Sequence, residues 1–510
     1  MRMTRKRMLS ILAVSILISS CSKTSDSISK LDGSKLTFDS VDTLVTEAMS
    51  EAEVPGLQLA VFNEKKVVYM KSYGFKDSLK SISMDNHTVL QSASFSKSIF
   101  AYVLMKLVEE GRFDLDKPVH EYLDFPIYEL TNSRFDYVDL KEDERYKKIT
   151  GRMLLTHTAG FKNYRRGKLE MYFEPGSQYH YSGEGIILLQ SVIEAAFDTD
   201  LQVLSEEYLF NPLKMDRSSF IWKEAYRSNT SYGFNRDGVE YDARLDSVAM
   251  AAYSCVTTIS DFSALITSIF DNALISEETT DKMLGSQHRI RTKNQFGSDA
   301  LVIDPDNTKK GVELFYGLGW GVLNTPYGRA FFKEGKNPGY QNMCIVFSNG
   351  TGLILMTNSD RGEQLFQYLN EKLIGNTYFP WDWESIYPFY VHRMFNELFA
   401  MIEEGLGSQA ILKKYKTLNL EYDCAQYSEL IFSSIGQAFL RKQRAEEAIE
   451  MFTINVDMNP NSPDAQNDLG KAYLANEQKD LAIKSFENSL RLDPTNSTSI
   501  KMLTEIRDDK

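Results

Sequence analysis

Apolar positions recur at helical spacing from Thr37 to Ala52, where Phe38, Val41, Leu44, Val45 and Ala48 share one face. Pro55-Gly56 ends that pattern. Two strand-like segments follow, Leu57 to Phe62 and Lys66 to Ser72, and Asn63-Glu64-Lys65 between them predicts a hairpin turn. A denser run, with Ile99, Phe100, Tyr102, Val103, Leu104, Leu107 and Val108, predicts a buried helix closed by Gly111. Gly317 to Asn358 predicts three more strands, the last two joined at Asn349-Gly350. Strands at both ends with helices between predict one α+β domain over residues 35–376, its sheet drawing on both ends of the segment.

From about Trp381 the pattern is helical throughout. Gly436, Phe439, Ala448, Phe452 and Pro460 are matched 34 residues later by Gly470, Tyr473, Ala482, Phe486 and Pro494. That period and those residue types resemble the tetratricopeptide repeat, a helix–turn–helix unit. Small residues would mark where paired helices cross closely, and aromatics would fill the space between them. Residues 421–496 hold two such repeats, and residues 377–420 predict connecting helices. Because about three repeats make a stable stack, Ile386 to Tyr415 is expected to add a helix pair on one open face. Residues 497–510 read as a tail.

The chain begins differently. Arg2, Arg5, Lys6 and Arg7 precede an almost uninterrupted apolar run from Met8 to Ile18. The run is about half of the roughly 20 residues that span a bilayer, so residues 1–20 read as a signal peptide. Ile18-Ser19-Ser20-Cys21 resembles the bacterial lipobox, which implies an exported lipoprotein anchored in a membrane through acylated Cys21, facing the periplasm or the cell exterior. A simple secretory signal with a chance cysteine is the plainer alternative. Residues 21–34 read as a polar tether.

Composition narrows the function. With 70 acidic and 57 basic residues the formal net charge is −13, which argues against a general nucleic-acid binder. Four cysteines in 510 residues exclude a disulfide scaffold. Six histidines, at positions 87, 120, 157, 180, 288 and 392, show no metal-binding spacing, so no metal and no cofactor is expected.

Ser-x-x-Lys occurs at Ser20, Ser27 and Ser94. The first two lie in the leader and tether, where nothing holds a catalytic geometry. Ser94-Phe95-Ser96-Lys97 opens the buried helix, and residues i and i+3 share a helix face, so Lys97 can reach the Ser94 hydroxyl. A capping serine followed by a snorkelling lysine is the alternative.

Further segments follow in order. They are Leu154-Leu155-Thr156-His157-Thr158-Ala159-Gly160, Pro175-Gly176 leading to Tyr181-Ser182-Gly183, and Asn211-Pro212-Leu213-Lys214-Met215. Ala251-Ala252-Tyr253-Ser254 with Thr257-Thr258 and Gly317-Leu318-Gly319-Trp320-Gly321 come next. Together they resemble the serine β-lactamase-related family: class C β-lactamases, DD-peptidases and esterases of that fold. The resemblance implies a penicillin-binding-protein-like antiparallel sheet with helices. It implies Ser94 as the acylated nucleophile, Lys97 as the lysine that eases its deprotonation, and Tyr181 as the proton shuttle. Lys333-Glu334-Gly335 matches the Lys-Thr-Gly motif. There Lys333 would supply positive charge, Gly335 would let substrate approach the strand, and the backbone N–H groups of Ser94 and Lys336 would form the oxyanion hole.

Burial and a second cation would push Lys97 toward neutrality, and two lysines would push Tyr181 toward phenolate. Which of the two takes the proton is left open. Gly183 replaces the family's usual Asn, and Glu334 replaces a common Thr, so recognition of a β-lactam or peptide amide is expected to differ. His157 reads as a satisfied structural histidine, and His180 should point away from the site. The first reading is a membrane-anchored serine hydrolase acting on a D-amino-acid peptide, a β-lactam-like amide or a small ester, with repeats that can hold a protein partner. A dedicated β-lactamase, and a non-catalytic scaffold lipoprotein, are the alternatives.

Overall fold

The computed structural model describes residues 26–508 apart from 79, 132–134, 166, 305–311 and 495. The leader and Cys21 lie outside the described residues. The tether reading does not hold for residues 26–34. There β1 (Ser27–Ser29) pairs with β2 (Lys35–Thr37). Ile28 is fully buried, and the Asn63 side chain accepts the Ser29 N–H at 2.8 Å and donates to its carbonyl at 2.7 Å. One apolar anchor in a polar segment is enough to fix it, and periodicity cannot register a single residue.

Thr37 caps α1 (Phe38–Glu51), which turns Val41, Val45, Ala48 and Met49 inward. The predicted hairpin forms as β3 (Gly56–Asn63) and β4 (Lys66–Asp77), with Glu64 and Lys65 both in the left-handed region that a tight turn needs. Next come β5 (Ile82–Ser83) and β6 (Leu90–Gln91), and then α2 (Phe95–Glu109). Helix α2 is apolar nearly all round and therefore sits inside the protein. Around it lie α3 (Gly151–Leu155), α4 (Gly183–Phe197), α5 (Leu201–Ser205), α6 (Ile259–Asp271) and α7 (Glu277–Met283), with β7 (Val256–Thr257) paired to β6.

The sheet is completed by β8 (His288–Arg289), β9 (Glu313–Tyr316), β10 (Gly321–Thr325), β11 (Gly328–Asn337), β12 (Tyr340–Phe347) and β13 (Gly352–Thr357). Its nine strands run in the order β5-β4-β3-β13-β12-β11-β10-β9-β8. The β3–β13 pairing, Gly352 opposite Phe62, joins the two ends of the domain as predicted. The segment predicted as three strands holds four, because Thr325-Pro326-Tyr327-Gly328 makes a turn of its own between β10 and β11. One sheet face meets the helices around α2, and the other meets α1 and α8 (Phe366–Leu373).

Residues 377–386 belong to this body rather than to a connecting unit. Phe379, Trp383 and Ile386 are buried in the core of the sheet's outer face, and α9 (Trp381–Glu384) is a single turn wedged against it. Helices α10 (Phe389–Glu403) and α11 (Ser408–Tyr422) supply the expected extra pair. The repeats are α12 (Ser428–Arg441) with α13 (Ala445–Met458), and α14 (Pro463–Ala475) with α15 (Lys479–Leu492). A Cβ on Gly436 would stand 2.4 Å from Phe452, and one on Gly470 would stand 2.7 Å from Phe486. These glycines are therefore the close crossings that the 34-residue period implied. The tail reading fails for residues 497–508: α16 (Ser497–Asp508) buries Leu503 and Ile506 against Ala482 and Phe486, closing the open end of the stack.

Candidate active site

The turn into α2 is clamped from outside. Ser92 donates through its N–H and its hydroxyl to the Cys255 carbonyl, at 2.9 and 2.7 Å, and the Cys255 N–H donates to Ser96 Oγ at 3.0 Å. Ala93 is forced to φ 50°, a conformation costing an L-residue about 1 kcal/mol. Ser94 follows at the head of the helix, yet its side chain makes no capping bond. Lys97 does not snorkel. It is fully buried, with Nζ 2.9 Å from Ser94 Oγ and donating to the Ala252 carbonyl at 2.7 Å. The cap-and-snorkel alternative is thereby excluded on both counts.

Tyr181 lies between two lysines: Lys97 Nζ and Lys333 Nζ each stand 4.9 Å from its ring centre. Ser94 and Lys333 both lie close enough to act on its hydroxyl. Strand β11 presents Lys333, Glu334, Gly335 and Lys336. A Cβ on Gly335 would stand 3.0 Å from the Ser94 nitrogen and 2.7 Å from the Ser92 carbonyl. The glycine therefore admits the Ser92–Ser94 turn against the strand, a constraint separate from the substrate access expected of it. The Lys336 side chain pairs with Glu363. Gly183 heads α4, where its N–H is taken by Asn163 Oδ1 at 3.0 Å. A Cβ there would meet the Asn163 carbonyl and the Tyr164 ring, at 2.8 and 2.9 Å. The room for a family asparagine is thus filled by another segment, and position 183 offers substrate neither a side chain nor a free N–H.

Burial and then the Lys333 charge hold Lys97 well below the ordinary lysine range, which favours the neutral amine. Burial works against the Lys333 ammonium too, but the Glu334 carboxylate opposes it, and Lys333 is held above the ordinary lysine range as a cation. For Tyr181 the sequence expectation has the wrong sign. Burial raises it above the usual phenol value and outweighs Lys333 and the Ser94 hydroxyl. Tyr181 is a phenol.

His157 is buried, with φ 58°, and Nδ1 accepts from the Ser182 N–H at 3.2 Å. Burial, and then the Lys333 charge, hold it well below its usual value, so it is a neutral ring backing Tyr181 at 4.4 Å. His180 turns away to the Phe161 carbonyl.

Periodicity and motif order did not point to the polar group behind Lys333. Glu334 Oε2 lies 3.4 Å from Lys333 Nζ. Gln295 Nε2 donates to Glu334 Oε1 at 2.7 Å and to Glu384 Oε1 at 2.5 Å. Glu384 comes from α9. Among the described residues no group of three His, Cys, Asp or Glu side chains is placed to hold a metal ion.

Residues 463–496 match the tetratricopeptide repeat model. Among solved structures, the octameric penicillin-binding protein homologue from Pyrococcus abyssi superposes with a TM-score of 0.55 at 19% identity, covering 71% of this chain and 82% of that one. D-alanine carboxypeptidase AmpC from Burkholderia cenocepacia gives 0.50 at 16% identity, covering 63% and 93%. Protein flp of Staphylococcus aureus (strain MW2) is 23% identical over 41% of this chain, a match that spans only 42% of that protein's own length. A beta-lactamase of Yersinia enterocolitica is 23% identical over 56% of this chain and 69% of its own. The Beta-lactamase family model matches residues 41–374, the whole span that carries the sheet and the helices around Ser94, and the chain therefore belongs to that family.

Proposed function

We propose that this chain is a serine hydrolase working through an acyl-enzyme on an amide or ester, exported and held at a membrane by acylated Cys21. The observation that carries the catalytic reading is the fully buried Lys97 amine 2.9 Å from Ser94 Oγ, held well below the ordinary lysine range. Lys97 takes the hydroxyl proton as Ser94 attacks the carbonyl carbon. The backbone N–H groups of Ser94 and Lys336 receive the oxyanion. Tyr181, still a phenol, passes its proton to the leaving group and is reprotonated from Lys97. Water then enters, and the same groups run in reverse to release the acid and free Ser94. Lys333 stays an ammonium throughout, keeping Lys97 neutral between turnovers. The names of the relatives, a beta-lactamase and a D-alanine carboxypeptidase among them, support hydrolysis. The test is intact mass after a fluorophosphonate probe: one adduct, mapped to Ser94, is expected, and an unlabelled folded protein would favour the scaffold reading. Gly183 and Glu334 weigh against a dedicated β-lactamase.

The anchor rests on the lipobox-like Ile18-Ser19-Ser20-Cys21. No helix among the described residues is long and apolar enough to cross a membrane. Growth with a labelled fatty acid should mark the wild type and leave Cys21→Ser unmarked. A mature protein starting elsewhere, without lipid, would refute it.

The repeats suit a protein partner and contribute little to the chemistry. Deleting everything after residue 420 keeps Trp383 and Glu384. It removes the ion pair of Lys293 with Asp464 of α14, 2.8 Å long and partly exposed on both sides, which is worth about 1 kcal/mol or less. Turnover of a small ester is expected to stay within about threefold of the full chain. Loss of that turnover with a large fall in melting temperature would show the repeats to be part of the catalytic body.

A further inference from the structure

We propose that Glu334 and Glu384, joined through Gln295, set this site for acyl substrates whose leaving group carries no carboxylate. The inference rests on the hydrolase reading above and adds the class of substrate to it.

Lys333 is the buried cation beside Tyr181 and Ser94, and so the group a substrate carboxylate would seek. Its place for a counter-ion is already taken by Glu334 Oε2 at 3.4 Å, with Lys333 and Glu334 only 1% and 5% exposed. The occupant is itself held firmly. Gln295 Nε2 bridges the two carboxyl groups at 2.7 and 2.5 Å, and the Tyr179 hydroxyl donates to Gln295 Oε1 at 3.0 Å. The Gln295 N–H donates to the Trp383 carbonyl at 2.9 Å, and Trp383 Nε1 donates to Thr292 Oγ1 at 3.2 Å. Loop, strand and α9 thus close on one another around the pair.

The charge count follows. Burial and then the Glu334 charge keep Glu384 protonated, while Lys333 helps keep Glu334 ionised against its burial. Two carboxyl groups therefore carry one negative charge, and Lys333 balances it. Other cations of the catalytic body are also engaged: Lys336 with Glu363, Arg165 with Glu184 at 2.8 Å, and Arg244 with Asp246 at 2.7 Å. A carboxylate arriving on the leaving group would have to displace Glu334 from Lys333, leaving a buried anion unpaired. An uncharged leaving group meets no such conflict.

The experiment compares kcat/KM for two esters of one acyl group, a phenyl ester and a 3-carboxyphenyl ester. Wild type should favour the uncharged ester by at least about tenfold, a modest value for a charge mismatch. The double variant Glu334→Gln/Glu384→Gln leaves Lys333 without its carboxylate, and the ratio should fall to about twofold or reverse. Ratios within one enzyme are insensitive to loss of active material. A wild-type ratio near one, or one favouring the carboxylate ester, overturns the inference without any variant. So does a folded double variant that keeps the wild-type ratio. If neither ester is cleaved and Ser94 takes no fluorophosphonate, the hydrolase reading falls and takes this inference with it. If Ser94 is labelled and the carboxylate ester is preferred, only this inference falls.

Discussion

Ser94→Ala abolishes covalent labelling and lowers ester turnover by about 10⁴-fold or more, while the melting temperature barely moves. Covalent catalysis has no path without its nucleophile, and among the described residues no second hydroxyl is bonded to Lys97, whose other partner is the Ala252 carbonyl. The stability half of the expectation comes from what Ser94 does not do. A serine at a helix start commonly caps it, and losing such a cap costs about 1 kcal/mol. Here the side chain caps nothing. The turn is held instead by Ser92, Ser96 and Cys255, all untouched by the substitution. The turn is thus secured by neighbours, and the hydroxyl is left facing Lys97. Turnover in Ser94→Ala within tenfold of wild type, measured on a small ester, would sink the assignment.

The side chains gathered at the candidate site are legible because their signals are local or ordered. Ser94 and Lys97 sit one helical turn apart, and Tyr181 and Lys333 follow in motifs of fixed order. The sheet joining both ends of the domain was legible from where the strand patterns fell. What escaped has physical reasons. Gln295 and Glu384 stand in a loop and in a one-turn helix, 89 residues apart, and neither segment is long enough to show a period. Ile28 and helix α16 are anchored by one or two apolar residues in polar surroundings, so composition reads them as loose. At Gly335 the fold adds a neighbour that the motif does not announce, the Ser92–Ser94 backbone pressed against it from a distant segment. Counting lysines misplaces the protonation state of Tyr181, because burial, with Glu334, outweighs Lys333 and the Ser94 hydroxyl.

Lys97→Met lowers kcat by about 10³-fold, the scale of a lost general base, and its stability relative to wild type changes with pH in a set direction. In the unfolded chain Lys97 titrates near about 10.4. In the fold its value is depressed by burial and by Lys333. Above the unfolded value both states hold a neutral amine, and protonation does not affect folding. As pH falls below it, the unfolded chain binds a proton that the folded protein refuses. Wild type therefore loses stability from about pH 10 down to the depressed folded value, and methionine does not. The lost bond to the Ala252 carbonyl is a fixed offset of about 1 kcal/mol against the variant at every pH. The melting temperature of Lys97→Met minus that of wild type should thus rise as pH is lowered from 10 to 7. A difference that stays flat, or falls, would mean that Lys97 enters the fold as an ammonium. It could not then take the Ser94 proton, and the base would have to be Tyr181.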